Sequence, residues 1–120
     1  MREDVIQEQL LSWARIQRFN DGKVADWLHH SPNGGSRHIL EAAKFKRMGV
    51  KAGFPDLFCY RPMGDWHGLF VELKAAKGRV SEAQKDMLAM LESEGYCVKV
   101  CYGFEQAKRE ICKYLGLGEG

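Results

Sequence analysis

The chain is short of the features that mark special protein classes. No apolar run approaches the ~20 residues of a membrane-crossing helix, and Met1-Arg-Glu-Asp at the N-terminus has no signal-peptide pattern. These absences lead us to expect a cytoplasmic protein with no membrane partner. Charge of one sign is also lacking. The net charge is only +2, so any nucleic-acid argument must rest on where the charges sit. The four cysteines, Cys59, Cys97, Cys101 and Cys112, lack the close paired spacing of a zinc site. Cys97 and Cys101 fall on an expected strand, roughly 13 Å apart, too far for a disulfide. They read as small thiols in a reducing compartment. No two histidines have ligand spacing. Repeats, low-complexity tracts and interdomain linkers are missing too. A chain of 120 residues then fits one domain with one core, residues 1–120, with 1–2 and 116–120 frayed.

What is present is periodicity. Ile6, Leu10, Trp13 and Ile16 recur at helical spacing and predict a helix over residues 3–18, stopped by Asn20-Asp-Gly22. Residues 24–30 read as a strand and 31–35 as a turn. Ser36 then caps a basic amphipathic helix over 37–48. Residues 55–60 and 69–74 read as two central strands joined by a polar loop. A helix over 81–94, a strand over 96–102 and a helix over 105–115 follow. The order predicts an α/β fold, a mixed sheet with helices on its faces.

The chemistry lies on the central strands. Gly53-Phe-Pro-Asp-Leu-Phe58 puts Asp56 at the mouth of one strand, and Phe70-Val-Glu-Leu-Lys74 puts Glu72 and Lys74 on the next. Strand side chains alternate, so Glu72 and Lys74 share a face. Two acids and an amine on one sheet edge suit metal-assisted phosphodiester hydrolysis. Asp56, Glu72 and the Leu73 carbonyl could supply the protein's share of the oxygens around Mg²⁺, with Mn²⁺ able to substitute. Lys74 would orient the attacking water or balance charge. This demands that Asp56 lie opposite Glu72 or Lys74. Spacing alone does not exclude the plainer alternative, in which Asp56 ends a turn and Glu72 and Lys74 form a surface pair.

The surrounding residues add to this. His30-Ser-Pro-Asn-Gly-Gly-Ser-Arg37 and Lys46-Arg-Met-Gly-Val-Lys-Ala-Gly-Phe-Pro-Asp-Leu-Phe58 come first. Gly68-Leu-Phe-Val-Glu-Leu-Lys74, Gly78-Arg-Val-Ser-Glu-Ala-Gln84 and Gly95-Tyr96 follow. In this order they resemble the VRR-NUC family of the PD-(D/E)XK nuclease superfamily, from about Glu3 to about Leu115. The resemblance implies a restriction-endonuclease-like core, with Asp56 and Glu72 as metal ligands, Lys74 as catalytic lysine and Gln84 as active-site helper. It further implies a glutamate of the first helix, for which Glu3 fits the family order better than Glu8. Stand-alone chains of this length resemble phage or prophage proteins. Such chains are expected to act as homodimers on branched DNA, in the manner of Holliday-junction resolvases.

Other readings stay open on the residues. Ser81-Glu-Ala-Gln84 matches a capping box, so Gln84 has a structural role to compete with the catalytic one. Arg37, Lys44, Lys46, Arg47 and Lys51 form one basic group, and Lys77, Arg79 and Lys85 a second. Both suit phosphate contact, and either could be a solvated face. Asn33-Gly-Gly35 could bring backbone amides to a phosphate or be a plain turn. Trp66, in the polar loop, could stack on an unpaired base or sit at a dimer interface. The rival functions are a nicking or restriction-type nuclease on the same core, and a DNA-binding module without catalysis.

Overall fold

The computed structural model describes residues 2–32 and 39–118. The chain begins with helix α1 (Glu3–Ala14), then β1 (Arg18–Phe19) and β2 (Gly22–Lys23). A single 3-10 turn (Val24–Trp27) leads into β3 (Leu28–His30), followed by α2 (Ile39–Arg47), β4 (Leu57–Cys59) and β5 (Leu69–Lys74). The chain then forms α3 (Glu82–Ser93), β6 (Cys97–Tyr102) and α4 (Phe104–Leu115).

The main sheet has the order β3-β4-β5-β6. β3–β4 and β4–β5 are antiparallel, while β5–β6 is parallel, with α3 as the crossover. The expected mixed sheet flanked by helices is therefore the fold. All six residues of β5 are buried, as befits a strand covered on both faces. Leu69, Val71 and Leu73 join Ile6 and Leu10 of α1 and Ile111 and Leu115 of α4 in the main core. Phe70, Glu72 and Lys74 take the opposite face, toward α3, whose Leu88 and Leu91 are also buried.

Three boundaries differ from those that periodicity predicts. α1 ends at Ala14 rather than residue 18, and Ile16 is 75% exposed instead of extending the apolar stripe. The chain turns back there, because Arg18–Phe19 pair with Gly22–Lys23 through a tight turn in which Asn20 takes a positive φ of 51°. The strand expected over 24–30 opens with a 3-10 turn, capped by Asp26 Oδ2 accepting from the Lys23 N–H at 2.9 Å. β4 is half as long as the expected strand over 55–60, since pairing stops at Leu57↔Val71 on one side and Cys59↔Leu69 on the other. The expected cap at Ser36, with most of the turn before it, lies outside the described residues. α2 occupies most of the expected basic helix, and α3, β6 and α4 stand within one residue of their expected bounds.

Candidate active site

The β4–β5 register decides where Asp56 goes. Leu57 pairs with Val71 and Phe58 with Phe70. One step further along that register, Asp56 stands opposite Glu72, as convergence of the two acids requires. The Asp56 side chain is anchored to the neighbouring strand, because the Leu73 N–H donates to its Oδ2 at 2.7 Å. Its carbonyl is held as well, accepting from the Ser31 N–H at 2.9 Å, with His30 Nδ1 at 3.1 Å. Nothing in the residue pattern signals those last two contacts, which depend on β3 running beside β4.

Glu72 and Lys74 are 2% and 6% exposed, so they are not a surface pair. Lys74 Nζ lies 3.6 Å from Glu72 Oε2. Gln84 bridges them: its Nε2 donates to Glu72 Oε2 at 3.0 Å, and its Oε1 accepts from Lys74 Nζ at 2.9 Å. The same Oε1 accepts from the Ser81 N–H at 2.8 Å, while Ser81 Oγ accepts from the Gln84 N–H at 3.1 Å. Cap and site, alternatives on sequence, are one arrangement. The capping box fixes the Gln84 side chain, and the fixed side chain holds the glutamate and the lysine.

Gly53 positions this end of α3 against the Pro55-Asp56 segment. Its φ is +77°, and a Cβ there would come within 2.6 Å of the Ala83 backbone and 2.8 Å of Gln84 N. Only a residue without a side chain lets the two backbones meet this closely.

Electrostatics set the Glu72 carboxyl apart from an ordinary surface acid. Glu72 is pushed up to about 8, first by burial, then by the charge of Asp56 and a hydrogen bond with it, while Lys74 acts in the opposite direction. A neighbouring carboxylate disfavours ionisation of Glu72. Glu72 Oε1 is buried without a hydrogen-bond partner among the described residues, a costly state for a polar atom. A divalent cation would satisfy that oxygen and relieve the repulsion. The donors are all oxygens, which suits a hard ion. Within a strand, a residue's N–H and C=O face the same neighbour, so the Leu73 carbonyl lies on the Asp56 side. Among the described residues no three His, Cys, Asp or Glu side chains gather for a metal. A cation here would draw on Asp56, Glu72 and main-chain oxygen.

Other expected residues are placed differently. Glu3 opens α1 and is exposed, and among the described residues no hydrogen bond or ion pair joins it to Asp56, Glu72 or Lys74. It occupies the first helical turn, where an acid is favoured by the helix dipole, while Ile6 and Leu10 turn into the core. Lys77 and Arg79 are exposed on the loop after β5. That loop folds against the site lysine, since a Cβ on Gly78 would lie 3.2 Å from Lys74 Cδ. Lys44, Lys46 and Arg47 are exposed on α2, and Lys51 on the segment after it. Asn33 and Arg37 lie outside the described residues. The four cysteines are free thiols, and burial raises each of them, Cys101 to about 12. Among the described residues no helix is long and apolar enough to cross a membrane.

The VRR-NUC domain family matches residues 1–105. A solved structure described as a VRR_NUC domain protein superposes with a TM-score of 0.86 at 40% identity, over 98% of this chain and 91% of that one. A search of curated proteins gives no match. The chain therefore belongs to the VRR-NUC domain family, within the PD-(D/E)XK nuclease superfamily, and its function is of the nuclease type, with DNA as the substrate.

Proposed function

We propose that the chain is a divalent-metal-dependent endonuclease that hydrolyses phosphodiester bonds in branched DNA, such as Holliday junctions, and works as a homodimer. The observation that carries the metal-dependent chemistry is the buried Glu72 carboxylate, with one oxygen unpartnered, beside Asp56 and Lys74. Asp56, Glu72 and the Leu73 carbonyl would hold Mg²⁺, with Mn²⁺ able to replace it. What such a cation supplies when bound is polarisation of the scissile phosphate and a lower pKa for water.

The chain's own groups do the rest. Lys74, fixed by Gln84 Oε1, directs its remaining N–H donors at the attacking water or at charge growing on the phosphate. Gln84 acts as a positioning residue, setting Glu72 and Lys74 together. Lys77 and Arg79, on the loop beside Lys74, neutralise neighbouring phosphates. Lys44, Lys46, Arg47 and Lys51, together with Asn33 and Arg37, extend that contact along the strand. A module that only bound DNA would have no use for a desolvated Glu72–Lys74 pair, which costs free energy to bury. Two copies of one site match the symmetric strand pairs of a junction.

The test is cleavage of a labelled four-way junction beside a linear duplex of the same arms, with Mg²⁺, with Mn²⁺ and with chelator. Paired symmetric cuts in the junction, absent in chelator, are expected. Equal cutting of both DNAs at fixed sequences would replace the junction preference with a restriction-type specificity.

A further inference from the structure

On the sheet face away from Glu72, at the far end of β5, lies a cavity of about 370 Å³. Trp66, Leu69, Lys99, Glu110, Lys113 and Tyr114 are among its lining residues. Leu69 and Glu72 are only about 10 Å apart along β5, but their side chains take opposite faces of the sheet. The cavity is therefore separate from the carboxylate site. Its size falls at the lower end of small-ligand pockets, and its mixture of aromatic wall and few polar groups is typical of them.

Two features of this cavity lack an explanation in the fold. Glu110 Oε2 is buried and has no hydrogen-bond partner among the described residues. A carboxylate only accepts, so this oxygen calls for an N–H or O–H donor. Lys99 and Lys113 line the same cavity, yet among the described residues neither is ion-paired with Glu110. Trp66 is the second feature. It is 40% exposed and held in a tight turn. Its backbone N–H donates to the Met63 carbonyl at 2.9 Å, and its carbonyl accepts from the Met63 backbone N–H at 3.2 Å. Gly64 supplies the positive φ of 58° within that turn. Tyr114 is fixed on the other side, its hydroxyl donating to the Arg61 carbonyl at 2.7 Å. An exposed indole on a fixed turn, beside an orphan acceptor and two amines, is the set of groups that takes a nucleotide. The ring stacks on the base, the acceptor meets an amino group on the base edge, and the amines meet phosphate.

We propose that this cavity binds one unpaired nucleotide of a DNA strand, with its base on Trp66, the base's amino group at Glu110 and its phosphate between Lys99 and Lys113. Adenine, cytosine and guanine carry an exocyclic amino group, whereas thymine offers only its N3–H, flanked by two carbonyl oxygens that the Glu110 carboxylate repels. The site therefore selects against thymine. On the face of the sheet away from Glu72 it anchors an unpaired segment and takes no part in bond cleavage. The proposal rests on DNA as the substrate and is independent of the metal and of the preference for junctions.

The test is binding of short fluorescent oligo-dC and oligo-dT strands in chelator, with wild type, Trp66→Ala and Glu110→Gln. Oligo-dC is expected to bind about tenfold more tightly than oligo-dT. Trp66→Ala should weaken oligo-dC binding by about tenfold. Glu110→Gln, which offers donor and acceptor alike, should erase the preference. Equal binding of the two strands by wild type would overturn the proposal. So would a preference that survives Glu110→Gln, or binding unchanged in Trp66→Ala. Cleavage supplies a second readout, with KM raised and kcat unchanged in Trp66→Ala. If wild type cuts nothing, the metal-free binding result still decides.

Discussion

Raising the pH should destabilise the metal-free protein, and Glu72 is the reason. Burial and the neighbouring Asp56 move its carboxyl from 4.5 to about 8. In the unfolded chain it returns to its ordinary range. Below about pH 4.5 both states hold the proton, and Glu72 adds no pH dependence. Between about pH 4.5 and about 8 the folded state keeps a proton that the unfolded state has released, so stability falls as pH rises, by up to about 1.4 kcal/mol per pH unit. Above about pH 8 both states have released it, and the accumulated penalty is at most on the order of 5 kcal/mol. Lys74 pulls in the opposite direction, and the slope is the readout. Glu72→Gln keeps an oxygen for Gln84 Nε2 and removes the ionisation. The assay is urea unfolding of both proteins in chelator, from about pH 5 to about pH 8. The variant should lose less stability across this window and finish the more stable of the two. Parallel stability–pH curves would refute the reasoning, because they would mean that Glu72 titrates alike in the folded and unfolded states.

Other consequences follow from the same contacts. Gln84→Ala removes the bonds to Glu72, Lys74 and the Ser81 N–H, so cleavage should fall by about a hundredfold and stability by about 1 kcal/mol. Ser81→Ala should show a similar stability loss with cleavage much less affected, which parallel kinetics and unfolding curves can check. Gly53→Ala forces a Cβ onto the Ala83 backbone at a φ of +77°, and denaturation should show a loss exceeding about 1 kcal/mol. Cys59 and Cys101, buried and raised above their usual range, should resist thiol alkylation in the folded protein and react on unfolding, as mass spectrometry would report.

How far the fold could be read from sequence depended on how local each signal was. β5 was legible throughout, since Phe70-Val-Glu-Leu-Lys74 alternates without interruption and lies in the centre of the sheet. α3 was legible from its cap, and Ser81 and Gln84 make both bonds of the capping box. α1 overran its true end because Ile16 keeps the helical period, while the two-residue pairing of Arg18–Phe19 with Gly22–Lys23 that stops the helix leaves almost no pattern. At the site, the same-face relation of Glu72 and Lys74 was available from alternation alone. The position of Asp56 was not, because it follows from a register set across the whole β4–β5 connection. The double use of Gln84 was hidden for a similar reason. Its distance from Lys74 depends on how closely Gly53 lets α3 approach, and Glu110 became noticeable only when its oxygen was found buried without a partner.

The most direct measurement is single-turnover cleavage of labelled branched DNA by wild type and Lys74→Ala, with Mg²⁺ and with chelator, alongside DNA binding and circular dichroism of both proteins. Cutting by wild type is expected with Mg²⁺ alone, with a loss of at least about a hundredfold in Lys74→Ala and folding and DNA binding retained. Cutting by Lys74→Ala at the wild-type rate, or by wild type undiminished in chelator, would contradict this expectation.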